Sequence, residues 1–433
     1  MKKRSLGFWR SWALVVGVMI GNGIFMLPSL LAPYGSISLL GWVFAGGGTL
    51  FIALMLGSLA RKVPKIGGPY AYTRTAFGDL PGFLIGWGYW ISIWTAVAAG
   101  SVALTGYLSV FMPQLAEVPV YGAISSIAII WLLTGVNIQG VKTAGVFQLI
   151  TTLLKLLPLF LIAGSGLILG DITDIPAQNP NDQPFILLVA ELIILIMWAY
   201  VGVEAITIPA DDVIEPQKTI PKALIIGTIT ATLVYILATY GVMALIPVNE
   251  LANSTSPFAD AAQLIFGPLG GSLIALGAII SIVGSLNGNV LVVGMLSRSI
   301  AKDNLFPQKF ASLNTAGVPA FGLIVAGLLS SFLIVMNYSG GLVSAFKTLI
   351  LLSTLTTLLP YAASALSNIV LQRRVDSASG KKNIKSYLIS FGALGFAIFT
   401  IIGAGLQTVA SGLILLLIGL CIYLWTRYKN AKL

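Results

Sequence analysis

Met19-Ile20-Gly21-Asn22-Gly23-Ile24-Phe25 interrupts an apolar run at the point where a membrane helix should be continuous. Glycine costs roughly 1 kcal/mol against alanine in a helix interior, and here two glycines flank a polar amide. Irregular backbone at membrane depth persists only where it is buried in protein or lines a wet cavity. Further along, Trp198-Ala199-Tyr200-Val201-Gly202-Val203-Glu204 interrupts a second apolar run in the same way. Two such breaks at corresponding positions of two halves mark a midplane solute site built from freed backbone groups.

The rest of the chain agrees with a membrane setting. Of its 433 residues, 57% are hydrophobic and 9% charged, a composition that excludes a water-soluble domain. Apolar runs long enough to span a bilayer fall at about 11–32, 38–60, 83–112, 120–137, 144–170 and 185–209. A second set falls at about 223–247, 271–297, 320–337, 342–371, 386–408 and 411–427, giving roughly twelve spans. With the N-terminus in the cytoplasm, every one of the 24 lysines and arginines except Lys155 and Lys347 lies on that face. The opposite face carries Glu117, Asp171, Asp174, Asp182, Glu250 and Asp260. The positive-inside rule therefore predicts cytoplasmic termini in a cell (plasma or inner) membrane, and the net charge of +10 is topology rather than a nucleic-acid footprint. The basic N-terminus and first span suffice to direct insertion without a cleaved signal. Cys421 is the only cysteine and histidine is absent, so no disulfide framework, metal centre or cofactor is expected.

Spans 1 and 6 both break near their centres, and an offset of five spans reverses orientation in the membrane. The expected architecture is thus an all-α integral membrane protein with two inverted five-span units, about 11–170 and about 185–371, with helices 1 and 6 broken. Spans 11 and 12, about 386–427, lie outside the repeat, and residues 1–433 form a single transmembrane domain. The connectors at Arg61–Pro69 and Asp211–Pro221 carry proline and glycine punctuation, which predicts rigid turns or short helices.

Val18-Met19-Ile20-Gly21-Asn22-Gly23-Ile24-Phe25-Met26-Leu27-Pro28, Gly67-Gly68-Pro69-Tyr70-Ala71-Tyr72, Trp198 to Glu204 and Asp303-Asn304-Leu305-Phe306-Pro307 resemble the amino acid–polyamine–organocation superfamily. Within it, the bacterial arginine/agmatine and basic amino acid/polyamine antiporters are similar over nearly the whole chain. The resemblance implies the five-plus-five fold, a small amino-acid or amine substrate and exchange or proton-linked uptake. Some relatives are homodimers, so a homodimer in the lipid bilayer is a possible assembly.

The resemblance also implies residue roles. Freed amides of Asn22 and Gly23, at the positive end of a half-helix, would hold a substrate carboxylate. Carbonyls of Met19, Trp198 and Val201, left unpaired by the breaks at Gly21 and Gly202, would accept from the α-ammonium. The bland alternative is that the glycines only allow close helix packing. Lys155, in the middle of span 5, costs roughly 2.5–3.5 kcal/mol on insertion scales and needs a partner. In sodium-independent relatives a lysine there takes the place of a coupling sodium, and carbonyls near Gly21 with hydroxyls of Ser281 or Ser285 are its expected contacts. A snorkelling lysine is the alternative. Glu204 matches a carboxylate used in proton-dependent transport, or else caps freed N–H groups. Trp198 and Tyr89 are candidate gates, with packing as their ordinary reading. Glu191 and Lys347, nearer the outer ends of their spans, read as headgroup-facing or snorkelling.

The side-chain pocket departs from the arginine/agmatine pattern. Val97 replaces an asparagine that helps bind guanidinium, and Asn289 replaces a stacking tryptophan. Ser92 and the retained Ser353 complete the expected pocket. With no acid evident for a basic side chain, a neutral amino acid is the leading expectation, and a basic amino acid or polyamine the alternative. Of the other classes, a channel lacks a carbonyl-ring filter, and an enzyme lacks a catalytic constellation. A non-transporting amino-acid sensor on the same fold remains as a rival.

Overall fold

The computed structural model describes residues 6–21, 23–63, 67–140, 145–171, 173, 175–207 and 213–430. Among them there are no strands, only two isolated bridges, and the chain is all-α. The first half runs α1 (Phe8–Met19), α2 (Leu27–Leu31), α3 (Ile37–Lys62), α4 (Pro69–Phe77), α5 (Asp79–Leu108), α6 (Gln114–Glu117), α7 (Pro119–Ile138) and α8 (Gly145–Leu169). The second half runs α9 (Phe185–Met197), α10 (Pro216–Met243), α11 (Val248–Leu251), α12 (Pro257–Lys302), α13 (Ala320–Asn337) and α14 (Gly341–Ser379). It is followed by α15 (Ile384–Gly403) and α16 (Gly405–Asn430).

By length and composition, eight helical stretches among the described residues can cross a bilayer, and one of them, 320–379, contains both α13 and α14. Three shorter apolar helices, Phe8–Met19, Lys155–Leu169 and Phe185–Tyr200, fall on spans 1, 5 and 6. Spans 1 and 6 are short because they are the interrupted ones. The connector after α3 holds the short helix α4, led in by Pro69 at its first turn. The apolar run before span 8 is also interrupted: α12 turns at Gly267 (φ 70°), where Pro268 follows, so Pro257–Phe266 is a separate short helix.

Burial separates the centre from the lipid face. Every residue from Gly86 to Tyr107 in α5 is buried, with α12 and α14 packed along it. On α16, by contrast, Leu413, Ile414, Leu417, Leu424 and Trp425 are exposed, as expected of a helix whose solvent is hydrocarbon.

Both expected breaks are present. α1 stops at Met19, and helix resumes only at Leu27 with Pro28 in its first turn. α9 passes into a 3-10 turn at Trp198–Tyr200 and then an extended Val201. Gly202 follows at φ 102°, a conformation that favours glycine. The second half of span 6 differs from a resumed α-helix, because Val203–Thr207 forms a tight 3-10 turn. The Thr207 hydroxyl donates back to the Glu204 carbonyl at 2.7 Å, which closes that turn locally. A backbone bond from Ile214 N–H to the Leu6 carbonyl (2.9 Å) ties the segment entering α1 to the segment beyond the second break.

Candidate functional site

The two breaks face each other across a cavity of about 310 Å³. Met19 and Gly23 line it from the first break, and Trp198, Val201, Gly202 and Glu204 from the second. α5 contributes Tyr89, Ser92, Ile93 and Ala96, and α12 contributes Ser285 and Asn289. Leu14, Leu291 and Val292 extend the lining toward the end of the bundle that carries the basic loops. The other end is shut by aromatic packing. The Trp198 ring meets Phe346 edge-on at 5.3 Å, and Phe25 packs against Tyr107 and Phe258, each at 5.7 Å. Tyr107 also donates its hydroxyl to the Phe25 carbonyl at 2.7 Å.

The freed backbone is partly reused within the protein. Met19 was expected to offer an unpaired carbonyl, but it accepts the Gly21 N–H at 2.8 Å. The Trp198 carbonyl likewise accepts from Val201 N–H at 3.2 Å, and the Ala199 carbonyl from the Tyr235 hydroxyl at 2.9 Å. A carbonyl oxygen has two lone pairs, so each keeps one acceptor position. Asn22 lies outside the described residues. Gly21 does not line the cavity; it packs on α12, where an added Cβ would sit 2.3 Å from Ser285 Oγ. An added Cβ at Gly23 would meet Ala199 Cα at 3.1 Å and the Trp198 ring at 3.2 Å.

Glu204 is buried in the cavity wall and receives three donors. Tyr89 donates to Oε1 at 2.5 Å, Tyr361 to Oε2 at 2.6 Å, and the Gly202 N–H to Oε2 at 3.1 Å. Three donors converging on one side chain suit an ionised carboxylate, since a protonated acid would have to turn one of these bonds around. Tyr361 was not singled out from the sequence. It is 157 residues from Glu204 along the chain, and nothing local distinguishes it from the other tyrosines of the spans.

Lys155, also buried, braces the first break from behind. In an unbroken helix the Gly17 carbonyl would receive the Gly21 N–H, but that N–H has turned to Met19. The Lys155 ammonium takes the vacated carbonyl at 3.1 Å. Its expected hydroxyl partners are placed differently. Ser285 lines the central cavity, whereas Ser281 shares with Lys155 and Pro158 a separate cleft of about 290 Å³ between α8 and α12. The buried Ser281 hydroxyl has no partner among the described residues.

Two expected pocket residues sit behind the wall. Val97 belongs to a small packing gap with Trp94, Ile130 and Val290. Ser353 is fully buried and donates to the Ser92 carbonyl at 2.8 Å, while the Ser92 hydroxyl bonds back to the Tyr89 carbonyl at 2.7 Å. The Ser353 hydroxyl therefore ties α14 to α5 at the level of the cavity, while that of Ser92 stays within α5. Glu204, by contrast, is an acid that lines the cavity rather than standing behind it.

The sequence pattern of the amino acid permease family matches residues 6–425. The chain belongs to that family. The permease is 27% identical over 428 residues to a putrescine transporter of Escherichia coli strain K12, covering 99% of this chain and 96% of that one. It is 30% identical over 462 residues to a putative arginine/ornithine antiporter of Bacillus subtilis strain 168, covering 98% of each. With a cadaverine/lysine antiporter of E. coli K12 the identity is 31% over 429 residues, covering 97% of this chain and 94% of the other. The permease is thus a multi-pass membrane transporter of the amino acid–polyamine–organocation superfamily, and not an enzyme.

Proposed function

We propose that the permease exchanges basic amino acids for polyamines or other amines by alternating access around the cavity between its two breaks. The observation that carries this reading is the Glu204 carboxylate in the cavity wall, beside backbone carbonyls of both broken helices. An anion and a set of carbonyl dipoles suit ammonium groups. Between them, Ile93, Ala96, Leu291 and Val292 offer an apolar wall along which a methylene chain can lie. The neutral amino acid favoured by the loss of an asparagine at Val97 and of a stacking tryptophan at Asn289 is not supported by the relatives, whose names concern putrescine, arginine, ornithine, cadaverine and lysine. The basic alternative fits them better, with Glu204 as the counter-charge.

In this reading the Gly23 amide, with Asn22, holds the carboxylate of an amino-acid substrate, and second lone pairs at Met19, Trp198 and Val201 receive its ammonium. Glu204 responds to protons, Lys155 stands in for a coupling cation, and Trp198 closes one side. Two inverted five-helix units, about 11–170 and about 185–371, tilt the half-helices as gates, with both termini cytoplasmic.

The test is uptake of labelled arginine, lysine, ornithine, putrescine, cadaverine and a panel of neutral amino acids into proteoliposomes. The vesicles are preloaded with each unlabelled candidate, with and without sodium or a pH gradient. Uptake that requires an internal basic amino acid or amine and ignores sodium is the expected result. Exchange confined to neutral amino acids would overturn the assignment of substrate, and no exchange of any solute would favour a sensor.

A further inference from the structure

A second polar site lies away from the central cavity, at the end of the bundle opposite the basic loops. There a cavity of about 350 Å³ is lined by Gln183, Leu187 and Glu191 from α9 and the segment before it, by Lys347 of α14, and by the α15–α16 turn around Ile402 to Gly405. Glu191 and Lys347 are each six residues beyond the first residue of their helices, so they lie at similar depth, about 9 Å in. They form no ion pair with each other among the described residues.

The Glu191 carboxylate is held in place by neutral donors. Tyr34 donates to Oε1 at 2.7 Å, and Gln183 and Asn181 donate to Oε2 at 2.5 and 3.3 Å. A carboxylate has about four acceptor positions, so three donors leave one for a ligand. Gly403 lets α15 approach the α9 backbone beside Glu191, since an added Cβ would collide with the Ala190 carbonyl at 2.0 Å. The rim is apolar and open: Leu187 and Ile402 are 43% and 58% exposed. A carboxylate held in place and a lysine lining the same cavity without pairing to it, beside apolar surface at interfacial depth, match an amphiphile bearing both charges.

We propose that this cavity binds a phospholipid whose headgroup carries a primary ammonium and a phosphate. The ammonium donates to Glu191, the phosphate meets Lys347, and the acyl chains run along Leu187 and Ile402. A free zwitterionic solute shares the headgroup's charges but leaves the apolar rim uncovered.

The test is native mass spectrometry of the full chain extracted from vesicles of equal phosphatidylethanolamine, phosphatidylcholine and phosphatidylglycerol. The expected result is selective retention of phosphatidylethanolamine, reduced about tenfold in Glu191→Gln and in Lys347→Gln, the size of one charge-assisted hydrogen bond. Unchanged thermal unfolding of both variants in detergent would show that the fold is intact. Equal retention of phosphatidylcholine, which has no N–H to donate, would overturn the proposal. So would preference for phosphatidylglycerol, retention unaltered by both substitutions, or displacement of the lipid by free lysine or putrescine, which would assign the cavity to solute. None of these outcomes depends on which substrate the central cavity carries.

Discussion

The two helix breaks solve the same problem with opposite charges. At the first, α1 ends with a carbonyl that has lost its N–H partner, and the Lys155 ammonium fills the gap at Gly17. At the second, the chain restarts with an exposed N–H at Gly202, and the Glu204 carboxylate fills that one. A helix end that terminates offers partial negative charge, and one that begins offers partial positive charge, so each break has recruited its counter-ion. They also differ in connection. Lys155 faces a side cleft, while Glu204 lines the solute cavity and is shared with Tyr89 and Tyr361 from two other helices. The first charge sits behind its break, the second in the wall of the central cavity.

The largest effect is expected from adding a single methyl to each break. Gly202→Ala puts a side chain at φ 102°, costing about 1–3 kcal/mol in strain, and drives its Cβ to 2.4 Å from Val18 Cγ1. Exchange should be lost and thermal unfolding should shift down. Gly23→Ala meets its neighbours at 3.1–3.3 Å without a positive φ, so folding should survive while substrate affinity falls. Equal behaviour of the two variants would erase the distinction between a strained and a merely crowded break.

Lys155→Met comes next, because it strands a buried carbonyl at a cost of about 1–3 kcal/mol. Part of this is offset by sparing the insertion cost of a mid-membrane lysine. Exchange should drop at least tenfold at every pH. Glu204→Gln should instead flatten the pH profile of exchange and leave thermal stability closer to wild type. A flattened profile in the lysine variant and an unaltered one in the glutamate variant would reverse the roles assigned here. Tyr361→Phe should be mildest, removing one of three donors to Glu204 while exchange continues.

Much of this was legible in the sequence, for a physical reason. Glycine, proline and polar residues inside apolar runs are conspicuous, so both breaks, the helix at Pro69–Phe77 and the buried Lys155 could be read from local pattern. What could not be read depends on pairing across the fold. Tyr361 reaches Glu204 from another helix, and Ser353 turns its hydroxyl to the Ser92 carbonyl instead of the cavity. The carbonyls of Met19 and Trp198 are partly used by neighbouring N–H groups, which depends on the actual path of the turn. Glu204 stands out in the sequence as a carboxylate inside a span, but its place in the cavity wall appears only in three dimensions.

The bond between Ile214 and Leu6 yokes the approach to one break to the exit from the other. While it holds, a displacement of either segment is felt at the other with the modest grip of one backbone hydrogen bond, about 0.5–1.5 kcal/mol.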